Sequence, residues 1–204
     1  MKFPSKINDI IKDYPLEEDS TGRSGDKVYL IANKYVLKVS KEIEKLKQEK
    51  QMHDFLKDKL PVAKTICFEI ENDSAYYLRT YLDGVPLTDE NILKDPIKLI
   101  DYLCEAIKMI HSIDISTCKH FSPYSKGNCF IHGDLCLPNI LVKDGKISGI
   151  LDINAAGIGD PYFDYSWCIW SLEYNLKTKE YTPLLLKKLG VEFNKELYEK
   201  YTEV

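Results

Sequence analysis

One stretch of the chain carries residues whose types and spacing suit catalysis: Phe130-Ile131-His132-Gly133-Asp134-Leu135-Cys136-Leu137-Pro138-Asn139-Ile140-Leu141-Val142. Asp134 and Asn139 stand in a loop between two short apolar segments. Beyond them lie Asp144-Gly145, the strongest hairpin signal in the chain, and then Gly149-Ile150-Leu151-Asp152. An antiparallel hairpin returns its end to its start, so Asp152 is expected beside Asn139. Asn139 and Asp152 then form a pair of hard oxygen ligands. Such a pair suits Mg²⁺, which retains waters and takes one or two carboxylates together with substrate phosphates. Asp134 is left to act as a base on an acceptor hydroxyl. Singly, each of these residues reads equally well as a turn former or a cap. Together, on both sides of one hairpin, they read as chemistry.

The spacing His-x-Asp-x-x-x-x-Asn followed by a further Asp is that of the protein-kinase catalytic loop and its metal ligand. Phosphoryl transfer also needs a cation on the nucleotide phosphates. Lys38, in the apolar run Tyr35-Val36-Leu37-Lys38-Val39, is the residue expected there, and Glu49 on the following helix is its expected ion-pair partner. The loop Ser20–Asp26 lies where a phosphate-covering segment belongs. It lacks the GxGxxG pattern, but Gly22 and Gly25 permit close backbone approach and Ser24 offers a hydroxyl donor.

These residues need elements to hold them. Ile7, Ile10, Ile11 and Tyr14 predict a short helix ending before Pro15. Two strands are expected at 28–31 and 35–39, then a helix capped by Ser40 and closed by Pro61, then two more strands at 63–70 and 75–80. Residues 81–86 read as a hinge or linker. Past them, Asp95-Pro96 caps a helix with Ile100, Leu103, Cys104, Ile107 and Ile110 on one face. The catalytic stretch, its hairpin and three more helical segments follow. The class is α+β in two lobes: 1–80 for the nucleotide, 87–204 for the catalytic loop, metal and acceptor.

Composition narrows the alternatives. In 204 residues, 44% are hydrophobic and 14 are Tyr, which excludes a disordered chain. No stretch approaches the ~18 apolar residues of a membrane span. Arg23 and Arg79 are the only arginines, and the net charge is −4, so nucleic acid is not the expected partner. The six cysteines include no CxxC pair, and the first residues have no apolar leader core. Scattered reduced thiols in a cytoplasmic protein are expected.

The chain resembles the aminoglycoside O-phosphotransferases, most closely the 3′-type. The resemblance rests on Lys27-Val28-Tyr29, Leu37-Lys38, Glu49-Lys50, Lys59-Leu60-Pro61-Val62 and Asp83-Gly84-Val85. It continues through His111-Ser112-Ile113-Asp114-Ile115-Ser116, His132-Gly133-Asp134-Leu135, Val142 to Lys146, and the pair Asp160 and Asp164. It implies a bilobal protein-kinase-like fold, an antiparallel sheet plus one helix in the first lobe, and a mainly helical second lobe. It also implies an enzyme that moves the γ-phosphate of ATP or GTP to an aminoglycoside hydroxyl, as a monomer or weak dimer. Asp134 would be the catalytic Asp, and Asn139 and Asp152 the Mg²⁺ ligands. Lys38 would hold the phosphates, oriented by Glu49, and Ser24 would touch the triphosphate. Backbone groups of Thr80 and Leu82 would bind the base, and Asp164 would brace the catalytic loop. For a polycationic acceptor, the expected carboxylates are Asp160, Glu173, Glu203 and the terminal carboxylate of Val204.

Three features depart from the family. No Gly-Arg pattern follows Asp152. Val36 stands where some members place an aromatic residue against the base. The connection from Ser116 to Cys129 is very short where relatives carry a helical insertion that walls the antibiotic pocket. The same catalytic set would also serve a kinase of choline or a sugar-like metabolite, or, without turnover, a nucleotide-binding protein.

Overall fold

The computed structural model describes residues 3–19 and 25–203, which divide into two compact units. The first comprises residues up to Asp58 together with Val62–Asp83. The second comprises Lys59–Pro61 and the chain from Gly84 onward.

In the first unit the order is α1 (Ser5–Ile11), β1 (Leu16–Asp19), β2 (Lys27–Ile31), β3 (Tyr35–Ser40), α2 (Ile43–Leu56), β4 (Thr65–Glu71) and β5 (Ser74–Thr80). The strands form one antiparallel sheet in the order β1-β2-β3-β5-β4. Alternation sorts its side chains between two faces. Tyr29, Ile31, Leu37 and Leu78 pack with Ile7 and Ile11 of α1, while Ala75 and Tyr77 pack with Leu46 of α2. The α2 stripe is Leu46, Glu49, Met52, His53 and Leu56, so a carboxylate and an imidazole sit among its buried positions.

Two sequence expectations differ from what is found. Ser40 does not cap α2. It ends β3, paired opposite Ala75, and its Oγ accepts from Glu42 N at 3.0 Å, bracing the turn into a helix that starts at Ile43. The strand β1 was not expected, because Leu-Glu-Glu-Asp on an exposed edge lacks the apolar alternation that marks a strand.

In the second unit, β6 (Val85–Pro86) joins β8 (Ile140–Lys143) and β9 (Lys146–Ile150) in a three-stranded sheet, and β7 (Cys129–Ile131) pairs with β10 (Gly157–Gly159). The helices are α3 (Glu90–Leu93), α4 (Pro96–His111), α5 (Pro161–Leu176), α6 (Thr182–Leu189) and α7 (Lys195–Thr202). As expected, Asp95 caps α4 by accepting from Lys98 N at 3.1 Å, with Pro96 in the first turn. Leu99, Ile100, Leu103, Ala106, Ile107 and Ile110 are buried along that helix. A second cluster gathers Ile131, Tyr162, Phe163 and Tyr201, and so anchors α5 and α7 on β7. No helix among the described residues is long and apolar enough to cross a membrane.

Candidate functional site

The hairpin expected from Asp144-Gly145 is present, with both residues at positive φ (50° and 74°). Ile140 pairs with Ile150, and Leu151 N donates to Asn139 O at 2.8 Å. The hairpin therefore brings the segment carrying Asp152 back to Asn139. Asp152 itself is exposed and holds φ 51°, ψ 50°, a left-handed conformation that Asp tolerates better than most residues. A single 3₁₀ turn, Ile153–Ala155, follows it, and Asn154 Nδ2 donates to Asp152 Oδ1 at 2.8 Å.

Asp134 is held from two sides. Asn139 Nδ2 donates to its Oδ2 at 3.1 Å and to its backbone O at 2.9 Å, and the Cys136 thiol donates to its Oδ1 at 3.4 Å. Burial pushes the Asp134 carboxyl above its ordinary value and the charge of Asp152 adds to this, while His132, Cys136 and Asn139 act the other way. Burial, helped by the adjacent Asp134, drives the Cys136 thiol up to about 12, so it stays a protonated donor.

The loop that presents Asp134 is braced from below. Asp164 is fully buried (0% exposed) and accepts from His132 N (2.9 Å), Gly133 N (3.0 Å) and His111 Nε2 (3.0 Å). His132 bridges the loop to the hairpin: its Nε2 donates to Leu151 O at 2.8 Å and its Nδ1 accepts from Asp134 N at 3.2 Å. Gly133 (φ 81°) lies so close to the turn after Asp152 that a Cβ there would meet Ala155 O at 2.5 Å. A cavity of about 240 Å³ adjoins Asp134 and Asp152 and is walled by Tyr124, Phe163 and Trp167.

The donor set fits Mg²⁺. Asn139 commits its amide nitrogen to Asp134, which leaves its amide oxygen as a neutral hard donor, and Asp152 supplies an exposed carboxylate. No group of three or more His, Cys, Asp or Glu able to hold a metal occurs among the described residues. An ion bound through two protein oxygens, with water and phosphate completing its shell, matches that arrangement.

In the first unit, Lys38 and Glu49 meet as expected: Lys38 Nζ donates to Glu49 Oε2 at 2.9 Å. The network is larger than the sequence reading. Arg79 takes the other Glu49 oxygen, and Lys38 also pairs with Asp26 at 3.3 Å. His53 Nδ1 lies 3.0 Å from Glu49 O. Burial alone would raise the Glu49 carboxyl, but the charges of Arg79 and Lys38 outweigh it and hold the group below its ordinary value. Burial and then the Arg79 charge lower His53 to about 4. The signal for Arg79 is the β3–β5 register: Val36 opposes Arg79 and Lys38 opposes Tyr77, which puts Lys38 and Arg79 on one sheet face.

The remaining expected residues divide. Thr80 N donates to Lys64 O at 3.0 Å and its Oγ1 accepts from Lys64 N at 2.9 Å, which fastens the end of β5. Leu82 follows β5, partly buried. Asp160 caps α5 through Tyr162 N and accepts from Tyr201 Oη at 2.7 Å. Glu173 accepts from Thr182 Oγ1 at 2.8 Å and pairs with Lys179. Both carboxylates therefore tie helices within the protein. Glu203 is exposed at the end of α7. Ser24 and Val204 lie outside the described residues.

Comparison with known proteins adds to this geometry. The model of the phosphotransferase enzyme family matches residues 122–194. An aminoglycoside 3′-phosphotransferase of Enterococcus faecalis is 27% identical over 244 residues, covering 94% of this chain and 92% of that protein. One from Staphylococcus aureus is 26% identical with the same coverage. These alignments are longer than the 204-residue chain, so the relatives carry stretches without a counterpart here. Among solved structures, a Streptomyces rimosus aminoglycoside phosphotransferase in complex with ADP and streptomycin superposes with a TM-score of 0.80. It is 14% identical and covers 96% of this chain and 93% of its own. An aminoglycoside 3′-phosphotransferase of type VIII gives 0.73 at 17% identity, covering 96% and 95%.

Proposed function

Since the chain is related in sequence and in fold to the aminoglycoside phosphotransferases, we propose that it is a kinase transferring the γ-phosphate of ATP or GTP to a hydroxyl of an aminoglycoside. The carrying observation is the Asp134 carboxylate, fixed by Asn139 and Cys136 on a loop that Asp164 braces from below. Aimed side chains of this kind are what phosphoryl transfer asks of a protein, because positioning and charge stabilisation dominate the reaction.

Each unit has its part. Lys38, oriented by Glu49, neutralises nucleotide phosphates. Asn139 and Asp152 hold Mg²⁺, which when bound spreads phosphate charge and sets the γ-phosphate in place. Backbone groups of Thr80 and Leu82 bind the base, and Ser24 reaches the triphosphate. Asp134 orients the acceptor hydroxyl and takes its proton as the new O–P bond forms and the bond to the nucleoside diphosphate breaks. The elevated proton affinity that burial gives Asp134 suits that exchange. The protein acts as a cytoplasmic monomer or weak dimer.

The test is transfer of labelled phosphate from ATP and from GTP to kanamycin, with Asp134→Ala as control. Phosphorylated kanamycin made by the wild type and not by the variant is expected. Clean transfer to choline or a neutral sugar, with none to any aminoglycoside, would replace this reading by a kinase of small metabolites. Nucleotide binding without transfer to any acceptor would replace it by a binding protein.

A further inference from the structure

The cavity beside Asp134 has an unexpected lining for a site that takes a polycation. Its charged groups are Asp134 and Asp152, which the transfer chemistry already uses, and its other side chains include three aromatic rings, Tyr124, Phe163 and Trp167. The Tyr124 and Phe163 rings are stacked, 5.5 Å between centroids at 8°. Phe163 and Trp167 are tilted neighbours at 6.4 Å. The Trp167 indole nitrogen is buried with no hydrogen-bond partner. Asp160 and Glu173, the carboxylates expected to attract a cationic acceptor, are tied up between helices.

The short connection supplies one of these walls. Tyr124 lies in the connection between Ser116 and Cys129. That connection is fastened to the rest of the unit: Ser122 N donates to Ile158 O at 3.0 Å, Ile158 N to His120 O at 2.9 Å, and Asp160 N to Ser125 Oγ at 3.1 Å. Tyr124 is 53% exposed and Phe163 stacks against its ring from one side, which leaves the other side open to a ligand. At about 240 Å³ the cavity falls below the roughly 300–1,000 Å³ of pockets that enclose drug-sized ligands. One sugar ring fills a space of that size, and the further rings of a longer acceptor would lie outside it.

We propose that the acceptor is held as a single amino-sugar ring, its apolar face against the Tyr124 and Trp167 rings and its ammonium group over their π-faces, with the reacting hydroxyl at Asp134. This rests on the reading of Asp134 as the base of a kinase. Tyr124 gives this side of the site an aromatic wall, not an acidic one. Recognition then comes from stacking and cation–π contact with these rings. Such contacts are short-ranged and screened by salt far less than a field of exposed carboxylates. A one-ring acceptor is therefore used nearly as well as a three-ring one.

The experiment compares glucosamine, one ring, with kanamycin, three rings, at about 0.05 and 0.5 M KCl, for wild type, Tyr124→Ala, Tyr124→Phe and Trp167→Phe. A second measurement uses Trp170→Phe, which leaves Trp167 as the sole tryptophan, so that acceptor binding is read from its emission. Expected are a KM that moves less than about threefold with salt, a rise of about tenfold in KM for both acceptors in Tyr124→Ala with kcat retained, and recovery in Tyr124→Phe. Trp167→Phe, which keeps a smaller ring, should fall between. Trp167 emission should shift on adding either acceptor. Kanamycin turnover with unmoved Trp167 emission and an unchanged KM in Tyr124→Ala would overturn the stacking and leave the kinase. A Trp167 shift without phosphate transfer would keep the stacking and overturn the kinase. Absence of both signals would overturn both, and a steep salt dependence with Tyr124→Ala unaffected would overturn the stacking alone.

Discussion

Glu49 and Asp134 are the carboxylates around which the two units organise their polar groups, and they are held by opposite means. Glu49 is 4% exposed and sits between two cations, Lys38 and Arg79, so it is fixed by charge and fully ionised. Asp134 is only partly buried and is held by neutral donors, an amide and a thiol, with the like charge of Asp152 nearby. A carboxylate that only has to aim a lysine is best locked in its charged form. A carboxylate that has to exchange a proton must keep its proton affinity, and neutral donors allow that where a salt bridge would not. On the proposed reading, the units put one functional group to a structural and a chemical use.

The comparison breaks first at Asp134. Asp134→Ala is expected to lower kcat by a factor on the order of 10²–10⁴ while nucleotide affinity, followed by calorimetry, stays near wild type. A variant that loses nucleotide binding but keeps its single-turnover rate would assign Asp134 to the wrong side of the comparison.

Glu49→Ala should act the other way round. Removing it takes the shared anion from buried Lys38 and part-buried Arg79, and breaking a buried ion pair from one side costs on the order of 3–5 kcal/mol, an upper bound here because Lys38 keeps Asp26. Denaturant unfolding should show that loss, whereas Asp134→Ala, partly solvated and held by weak donors, should lose far less. Equal losses in the two variants would mean that Glu49 is no more structural than Asp134. Lys38 shares this burial at 9% exposed, so its truncation disturbs packing more than a lysine on an open strand would.

What the sequence disclosed follows the same division. The Asp134, Asn139 and Asp152 constellation was legible because a hairpin with Asp144-Gly145 at its tip is a local signal, and local signals survive in one dimension. The Lys38–Glu49 pair was legible from a strand followed by a helix. Arg79, His53 and Asp26 were not: Arg79 joins through the register of β3 on β5, His53 through the i, i+4 step from Glu49, and Asp26 from the residue before β2 as it pairs with β3, and none of these carries a composition mark. The aromatic lining of the Asp134 cavity was hidden for the same reason: Tyr124 comes from a loop and Phe163 and Trp167 from a helix, and only tertiary packing joins them. Asp160 and Glu173 read as free acids, but capping and helix tethering occupy them.

His53 gives a smaller effect of known sign. Its folded value, about 4, lies below the ordinary 6.5, because burial and Arg79 disfavour its charged form. Between those values the unfolded chain binds the proton and the folded one does not, so this contribution to stability is intact above pH 6.5 and is lost as pH falls toward 4. The ceiling is about 3 kcal/mol at 1.36 kcal/mol per pH unit. Unfolding of wild type and His53→Gln, measured at steps across that window, should show the wild type losing more. Parallel curves would remove His53 from the Glu49 network.

The smallest effect separates two glycines of the second unit with nearly the same φ. Gly145 (φ 74°) has open space where a Cβ would go, whereas at Gly133 (φ 81°) a Cβ would meet Ala155 O at 2.5 Å. Gly145→Ala is charged only with the left-handed conformation, about 1–2 kcal/mol, and transfer activity should stay at the wild-type level. Gly133→Ala carries that same cost and must also push apart the loop presenting Asp134 and the turn after Asp152. Its kcat should fall well beyond what the shared stability loss explains. A melting curve with a kcat on each variant tests this. Equal activity losses would show that strain at the hairpin tip reaches Asp152. Equal retention would show that the contact between Gly133 and Ala155 has no part in holding Asp134 against Asp152.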